Sequence, residues 1–260
     1  MKKTYRRTIT LVVCSMWALT ILYPLTYAIT RSFELGGIGN YLAVFSLGRI
    51  HIHYMNSLIV SSSTVICVAM ASSLAAYVFA KKQFRFNKAL YYFMLVALMI
   101  PVAALIMPLF RIVKGMGLLN NPLSLIGPLS ALNISISTLL LKNFMDDLPD
   151  ELLEAAHIDG ASEAVIFGRV VIPLSTPALL VVFIHTFQKT WNEFILPFIF
   201  LTRKAAMTVA VVPITFEGEY FSYDARIFAA CVLIAAPIVL LYIFLARYFE
   251  AGITVGALKQ

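Results

Sequence analysis

Four places in this chain carry residue types that could do chemistry. The stretch Glu151-Leu-Leu-Glu-Ala-Ala-His-Ile-Asp-Gly-Ala-Ser-Glu163, continuing to Ile172-Pro-Leu174, is polar and acidic in an otherwise apolar sequence. Seven of the 13 acidic residues fall between Asp146 and Glu163. Such a segment cannot cross a bilayer, so it must sit in water or against another protein. At its start, Asp146 and Asp147 have the composition of a paired-carboxylate catalyst, although the exposed head of a loop suits them better. His51 and His53 form an H-x-H pair of the kind that binds metal. No third ligand stands near, and exposed loop histidines are the plainer expectation. His185, Gln188 or Lys189, and Asn192 recur at i, i+3/i+4 and i+7. They share one helix face, where hydrogen-bonding groups could line a polar path through a membrane.

No Walker A sequence, HExxH or Gly-x-Ser-x-Gly occurs, so no enzyme motif is present. Cys14, Cys67 and Cys231 fall in apolar runs and form no CxxC; they read as small buried residues, without a disulfide framework or metal site. The first apolar run is too long for a signal-peptide core and lacks a small-residue cleavage site.

Membrane spans must position these residues. Of 260 residues, 61% are hydrophobic and 13% charged, and the mean hydropathy is +0.88. A soluble chain would carry about 25% charged residues. Spans of about 20 apolar residues are therefore expected, and six fit: 8–29, broken by Pro24; 56–80, rich in Ser and Ala; 89–110, kinked at Pro101 and Pro108; 122–143, with Asn133, Ser135, Ser137 and Thr138; 173–201; and 226–247, containing Pro237. Small residues in such spans let helices pack backbone to backbone. Segments 31–55, 111–121 and 203–224 read as external connections, and 250–260 as a short tail. At about 1.5 Å per residue from Pro173, His185 lies about 18 Å along the fifth span, near mid-membrane. The alternative for its face is interhelical packing, with Lys189 and Glu193 paired at i, i+4 and Trp191 in the interfacial belt.

Local chemistry describes the acidic loop, 146–171, as two short helices with a break. Pro149 suits a first helical position, and Asp150 and Glu151 favour the first turn. Leu152, Ala155 and Ala156 share a face that the alanines leave flat for another protein's backbone. Gly160 supplies a left-handed stop. Ser162 can cap a second helix with Glu163 in its first turn. Pro173 ends that helix or starts the next span. Six spans put both termini on the loop's side. Twelve Lys and Arg fall on that side, seven on the other, and Lys189 within a span. By the positive-inside rule the loop is cytoplasmic. The net charge of +7 reflects this sorting rather than nucleic-acid binding.

The pattern Glu154-Ala155-Ala156-x-x-Asp159-Gly160-Ala161-Ser162, with Ile172-Pro173-Leu174 downstream, resembles the EAA coupling loop of ABC importer permease subunits. Asn56-Ser57-Leu58, Ala75-Ala76-Tyr77 and Trp191-Asn192-Glu193-Phe194 are similar to the carbohydrate-type members of that family, which include maltose and glycerol-phosphate permeases. The tail Ala251-Gly-Ile-Thr-Val-Gly-Ala-Leu-Lys259 is similar to the family's Gly-x-x-x-Gly-Ala-x-Lys ending. Leu258 and Gln260 stand there in place of Val and Gly, which leaves the role of the tail open.

The resemblance covers nearly the whole chain. It implies an all-α membrane protein: one permease domain, 1–260, of six transmembrane helices with a cytoplasmic two-helix coupling loop, in the bacterial cytoplasmic membrane. Glu154, Ala155, Ala156, Asp159, Gly160 and Ala161 would form the joint to the ATPase. The implied partners are a second permease subunit, an ABC ATPase dimer and an extracytoplasmic solute-binding protein. This chain would bind no cofactor; ATP and Mg would be used by the ATPase. A permease for a non-sugar nutrient is the near alternative. From another class, an ion-coupled secondary transporter would want intramembrane carboxylates, of which only Glu193 qualifies, and no internal repeat is visible.

The orientation is tested by single cysteines in a cysteine-free background. At Gly37 and Tyr220 they should react with an impermeant thiol reagent added outside, and at Phe84 and Ser162 they should not. Outside labelling at Ser162 would invert the topology.

Overall fold

The computed structural model describes residues 2–217 and 223–257, with side chains for 9–217 and 223–244. Tyr220 and Lys259 lie outside the described residues, as do the side chains of the whole 250–260 tail. The chain is helical. In order it forms α1 (Lys2–Ser32), α2 (Ile38–Ser46), α3 (Ile50–Lys81), α4 (Asn87–Val96), α5 (Val102–Gly115), α6 (Ile126–Asp146), α7 (Asp150–Ile158), α8 (Glu163–Ile166), α9 (Ile172–Leu174), α10 (Thr176–Trp191), α11 (Ile195–Phe200) and α12 (Asp224–Ala257).

Four helices are long and apolar enough to cross a bilayer: Ile9–Ser32, Ile50–Lys81, Pro122–Asp146 and Asp224–Phe244. Two bent pairs reach that standard only when joined: Asn87–Met99 with Val102–Gly115, at 97°, and Glu163–Leu174 with Thr176–Trp191, at 76°. Counting each as one crossing gives six. The polar first arm of the second pair starts at Glu163 and carries Arg169, so it belongs to the acidic loop. The crossing there is α10, about 24 Å long, continued by α11.

Proline acts differently at each site. Pro24 lies inside α1 without breaking it, contrary to expectation. Hydroxyls supply hydrogen bonds around it: Thr26 Oγ1 donates to the Leu22 and Tyr23 carbonyls, and Thr20 Oγ1 to that of Met16. Pro101 does more than kink. It forces Ile100 to an extended ψ of 119°, and the helix turns through 97°. Pro108 stays inside α5, which runs on to Gly115 and absorbs part of the expected external connection. The fifth span starts at Thr176, not Pro173. Pro177 has no N–H for the Pro173 carbonyl, which instead accepts the Thr176 hydroxyl at 2.7 Å, and the chain bends at Ser175. That span is also broken before 201, because α10 stops at Trp191.

The chain divides into two compact units, Met1–His51 with Val211–Pro237 and Ile52–Ala210 with Ile238–Gln260. In the first, Tyr27 meets Phe228 edge-on at 5.8 Å, and Asn40 Nδ2 donates to the carbonyls of Ser32 and Glu34. The second holds the candidate sites. One of its cores gathers Val68, Ala76, Leu141, Met145, Ile166 and Val182 from α3, α6, α8 and α10. Small hydroxyl residues, such as Ser72, Ser137, Thr138 and Thr186, are buried among these helices, as close packing in lipid requires.

Four further expectations change. α3 begins at Ile50, so the histidine pair is helical rather than in a loop. His51 is exposed, but His53 is buried with Nδ1 2.9 Å from the Met207 carbonyl. Residues 203–217 are not a plain external loop. They form 3-10 turns, Lys204–Ala206 and Val209–Phe216, with Ala206, Val209, Val211, Val212 and Phe216 buried. The three cysteines are exposed on the surface of this chain rather than buried in it. Finally, α12 continues to Ala257, past the expected end at 247.

Candidate functional site: a fastened two-helix loop and a polar helix face

The loop begins where Pro149, in extended conformation, leads into α7. Asp150 and Glu151 occupy the first turn, where the helix dipole favours them. α7 ends as a Schellman motif. Gly160 has φ +79°, the Gly160 N–H donates to His157, and the Ala161 N–H donates to Ala156, both at 3.0 Å. A Cβ at Gly160 would meet nothing within 4 Å, so its need for glycine is conformational, not steric. Ser162 takes the cap position of α8 with suitable backbone angles but makes no side-chain cap, against expectation.

α7 is divided differently from the flat face read in the sequence. Leu153 and Ala156 turn inward onto the core with Ala161. Leu152, Ala155 and Ile158 turn outward, with Leu152 46% and Ile158 86% exposed. Helical spacing explains the division, because 153 and 156 lie on one side and 152, 155 and 158 on another. Glu154, Asp159 and Gly160 are exposed beside that outward strip. Ala156 and Ala161 therefore serve the loop's own packing, while the other four residues expected at the joint are open to a partner.

The end of α3 fastens both loop helices. Lys81 Nζ donates to the Leu148 carbonyl at 2.6 Å and to Asp150 Oδ1 at 2.7 Å. Its side chain is only 6% exposed, so it needs that pairing. Tyr77 donates to Glu163 Oε2 at 2.7 Å, and Lys82 donates to Glu163 Oε1. His157 Nε2 lies 3.3 Å from the same carboxylate. Phe167 packs on the Tyr77 ring at 5.4 Å. Lys82, then Tyr77, hold the Glu163 carboxyl below its ordinary value by donating hydrogen bonds to its charged form. Sequence reading missed this fastening. Its only signal was opposite charge, Lys81 and Lys82 against an acidic loop, on one side of the membrane.

On α10, His185 is half-buried, and Gln188, Lys189 and Asn192 are exposed on one face. Asn192 sits at the helix end, not mid-helix. The other side of α10 is core: Val182, Thr186 and Phe187 are buried. The Lys189–Glu193 pair of the alternative reading does not form. Glu193 Oε1 instead accepts the amides of Ile195 and Leu196 and starts α11. Trp191 is not in an interfacial belt. It is 1% exposed, stacked on Phe187 at 5.6 Å and edge-on to Tyr54 at 5.4 Å.

Broken spans, a polar intramembrane face and a fastened extramembrane loop define a multi-pass membrane transport subunit. The family model for binding-protein-dependent transport system inner membrane components matches residues 68–255, and the chain belongs to that family. It is 32% identical to a putative ABC transporter permease protein of Caldicellulosiruptor, over 85% of this chain and 80% of that one. It is 30% identical to the sulfoquinovosyl glycerol transport system permease protein of Agrobacterium fabrum, over 85% and 78%. It is 29% identical to the trehalose/maltose transport system permease protein of Thermococcus litoralis, over 99% of both chains. Its fold matches a chain of a bacterial ABC transporter that imports alginate, with TM-score 0.81 at 19% identity, over 96% of this chain and 98% of that one.

A carboxyl held below its ordinary value contributes stability above that value and loses it as pH falls through the lowered one. Protection of the α8 amides, taken relative to their intrinsic exchange rate at each pH, should therefore hold down to about pH 4.5, the ordinary value, and fall only below it. Glu163→Gln should lower that protection at every pH. Identical pH profiles in the two proteins would remove Glu163 from the fastening.

Proposed function

We propose that this chain is the membrane-spanning subunit of an ATP-driven importer of a sugar or oligosaccharide. In this reading α7 and α8 dock on a separate ABC ATPase, which uses the ATP and Mg, and the loop and both termini face the cytoplasm. A second permease subunit and an external solute-binding protein complete the assembly. The cargo class follows the names of the relatives, several of which carry saccharides or glycosides.

One observation carries the docking. An apolar strip, Leu152, Ala155 and Ile158, is exposed on a helix that the molecule takes trouble to hold still. An exposed apolar strip outside the membrane marks a partner surface, and Glu154 and Asp159 rim it. Closure of the ATPase dimer would push on α7. Lys81, Lys82 and Tyr77 pass that push to α3 without slack. At its other end α3 grips a second segment. Asn56 Nδ2 donates to the Ala205 and Met207 carbonyls, and Ser57 Oγ accepts the Val209 amide at 2.8 Å. Movement of the loop would thus reach residues 205–209 across the bilayer.

His185, Gln188, Lys189 and Asn192 are proposed to line half of the pathway. Their face is uncovered in this chain, and acyl chains are a poor neighbour for a cation and two amides. Glu193, the one carboxylate an ion-coupled carrier could use, is occupied by two backbone amides.

Gly160→Val tests the docking. Forcing a β-branched residue to φ +79° costs about 1–2 kcal/mol and swings α8 away from its seat. Stimulation of ATP hydrolysis by loaded binding protein should fall roughly tenfold, with the six spans still inserted. Gly160→Asn, which tolerates the left-handed region, should keep most of it. Glu154→Lys should weaken co-purification with the ATPase through its charge. Normal assembly and stimulation in both Gly160→Val and Glu154→Lys would remove the loop from the mechanism.

A further inference from the structure

The turn between α3 and α4 borders an open cavity that neither the docking strip nor the polar face of α10 uses. Its volume is about 810 Å³, within the usual range of ~300–1,000 Å³ for small-molecule sites. Lys82, Arg85, Lys88 and Lys142 line it against a single carboxylate, Asp146. Lys142 is paired with Asp146 at 2.6 Å, and Lys82 with Glu163. Arg85 and Lys88 have no carboxylate partner among the described residues. Two of the four cations thus face the cavity without a counter-charge, and an anion there would relieve their repulsion.

The cavity has a fixed wall. Asn87 Nδ2 donates to the Lys82 carbonyl and holds the turn in one shape. Phe79 and Tyr91 pack at 5.5 Å on its apolar side, and the Lys142 ammonium lies 5.0 Å over the Tyr91 ring. Phe86 stands at the cap position of α4 without a capping side chain, and no acid occupies the first turn. Beyond the cavity α4 enters the bilayer with Leu90, Tyr92 and Phe93 exposed by 49%, 63% and 76%.

A cationic cavity above an uncovered apolar helix face is two-part chemistry. We propose that it binds an anionic phospholipid, with the phosphate headgroup among Arg85, Lys88 and Lys142 and an acyl chain along α4. A free phosphate would use only the first part. Basic pockets at the membrane surface between transmembrane helices recognise such headgroups. Being beside the Lys82–Glu163 contact, a bound lipid would also stiffen the seat of α8. The site rests on the span assignment and not on ATPase docking.

Native mass spectrometry of the full chain in mild detergent tests this, with phosphatidylglycerol and phosphatidylcholine added in equal amounts. The chain should retain phosphatidylglycerol in preference to phosphatidylcholine. The double substitution Arg85→Gln, Lys88→Gln should lower that retention roughly tenfold. Arg85→Lys with Lys88→Arg should preserve it, which separates lost charge from misfolding. Arg111→Gln with Lys114→Gln, on α5, should leave it unchanged. Equal retention of the two lipids, or equal phosphatidylglycerol retention by the Gln variant and the parent, would overturn the site. Displacement of the lipid by millimolar inorganic phosphate would assign the cavity to a small anion instead.

Discussion

The contact between the end of α3 and the acidic loop governs what the rest of the molecule can do. Lys81 is nearly buried, and an ammonium in that position is costly unless paired. Its pairing with Asp150 and the Leu148 carbonyl fixes where α7 starts. The Glu163 carboxylate, gripped by Tyr77 and Lys82, fixes where α8 starts. Between these anchors the chain has only a tight turn, which Gly160 makes possible at φ +79°. Two short helices that would not persist alone thereby become one rigid appendage of a 32-residue transmembrane helix.

The broken spans follow a different constraint. Backbone polar groups in a bilayer must be satisfied within the protein, so a helix can break only where other groups replace its hydrogen bonds. At Ser175 the Thr176 hydroxyl does this for the Pro173 carbonyl. At Asn192–Phe194 the Glu193 carboxylate does it for two amides of α11. Such breaks leave polar groups at membrane depth beside the face formed by His185, Gln188 and Lys189. The hydroxyls buried on α3, α6 and α10 let those helices approach closely behind it.

Much of this was legible in the sequence. Apolar run lengths revealed six crossings, and seven clustered acids revealed the loop. Gly160 announced its turn because few other residues tolerate that conformation. The breaks were harder to read. Proline marks a place where a helix can fail, but whether it does depends on neighbours in space, and so Pro24 is continuous while Pro101 turns the chain through 97°. The alternative that paired Lys189 with Glu193 and set Trp191 in the interfacial belt fails for a related reason. Helical spacing was extended past Trp191, where the helix stops, so an i, i+4 pair was expected across a break. Tyr77 and the two lysines were visible only as a sequence resemblance and a topology marker. Their partners lie about 70 to 85 residues away along the chain, and no local pattern reports that.

The central claim is that loop and helix move as one body. The direct measurement is the distance between spin labels at Met55, near the start of α3, and Glu151, exposed in the first turn of α7 and outside the apolar strip, in the complete transporter. A rigid link requires one narrow distribution with the same centre in the ATP-free and ATP-bound states. A shift of about 5 Å or more, one helical turn, would show the loop sliding on α3 and would contradict it.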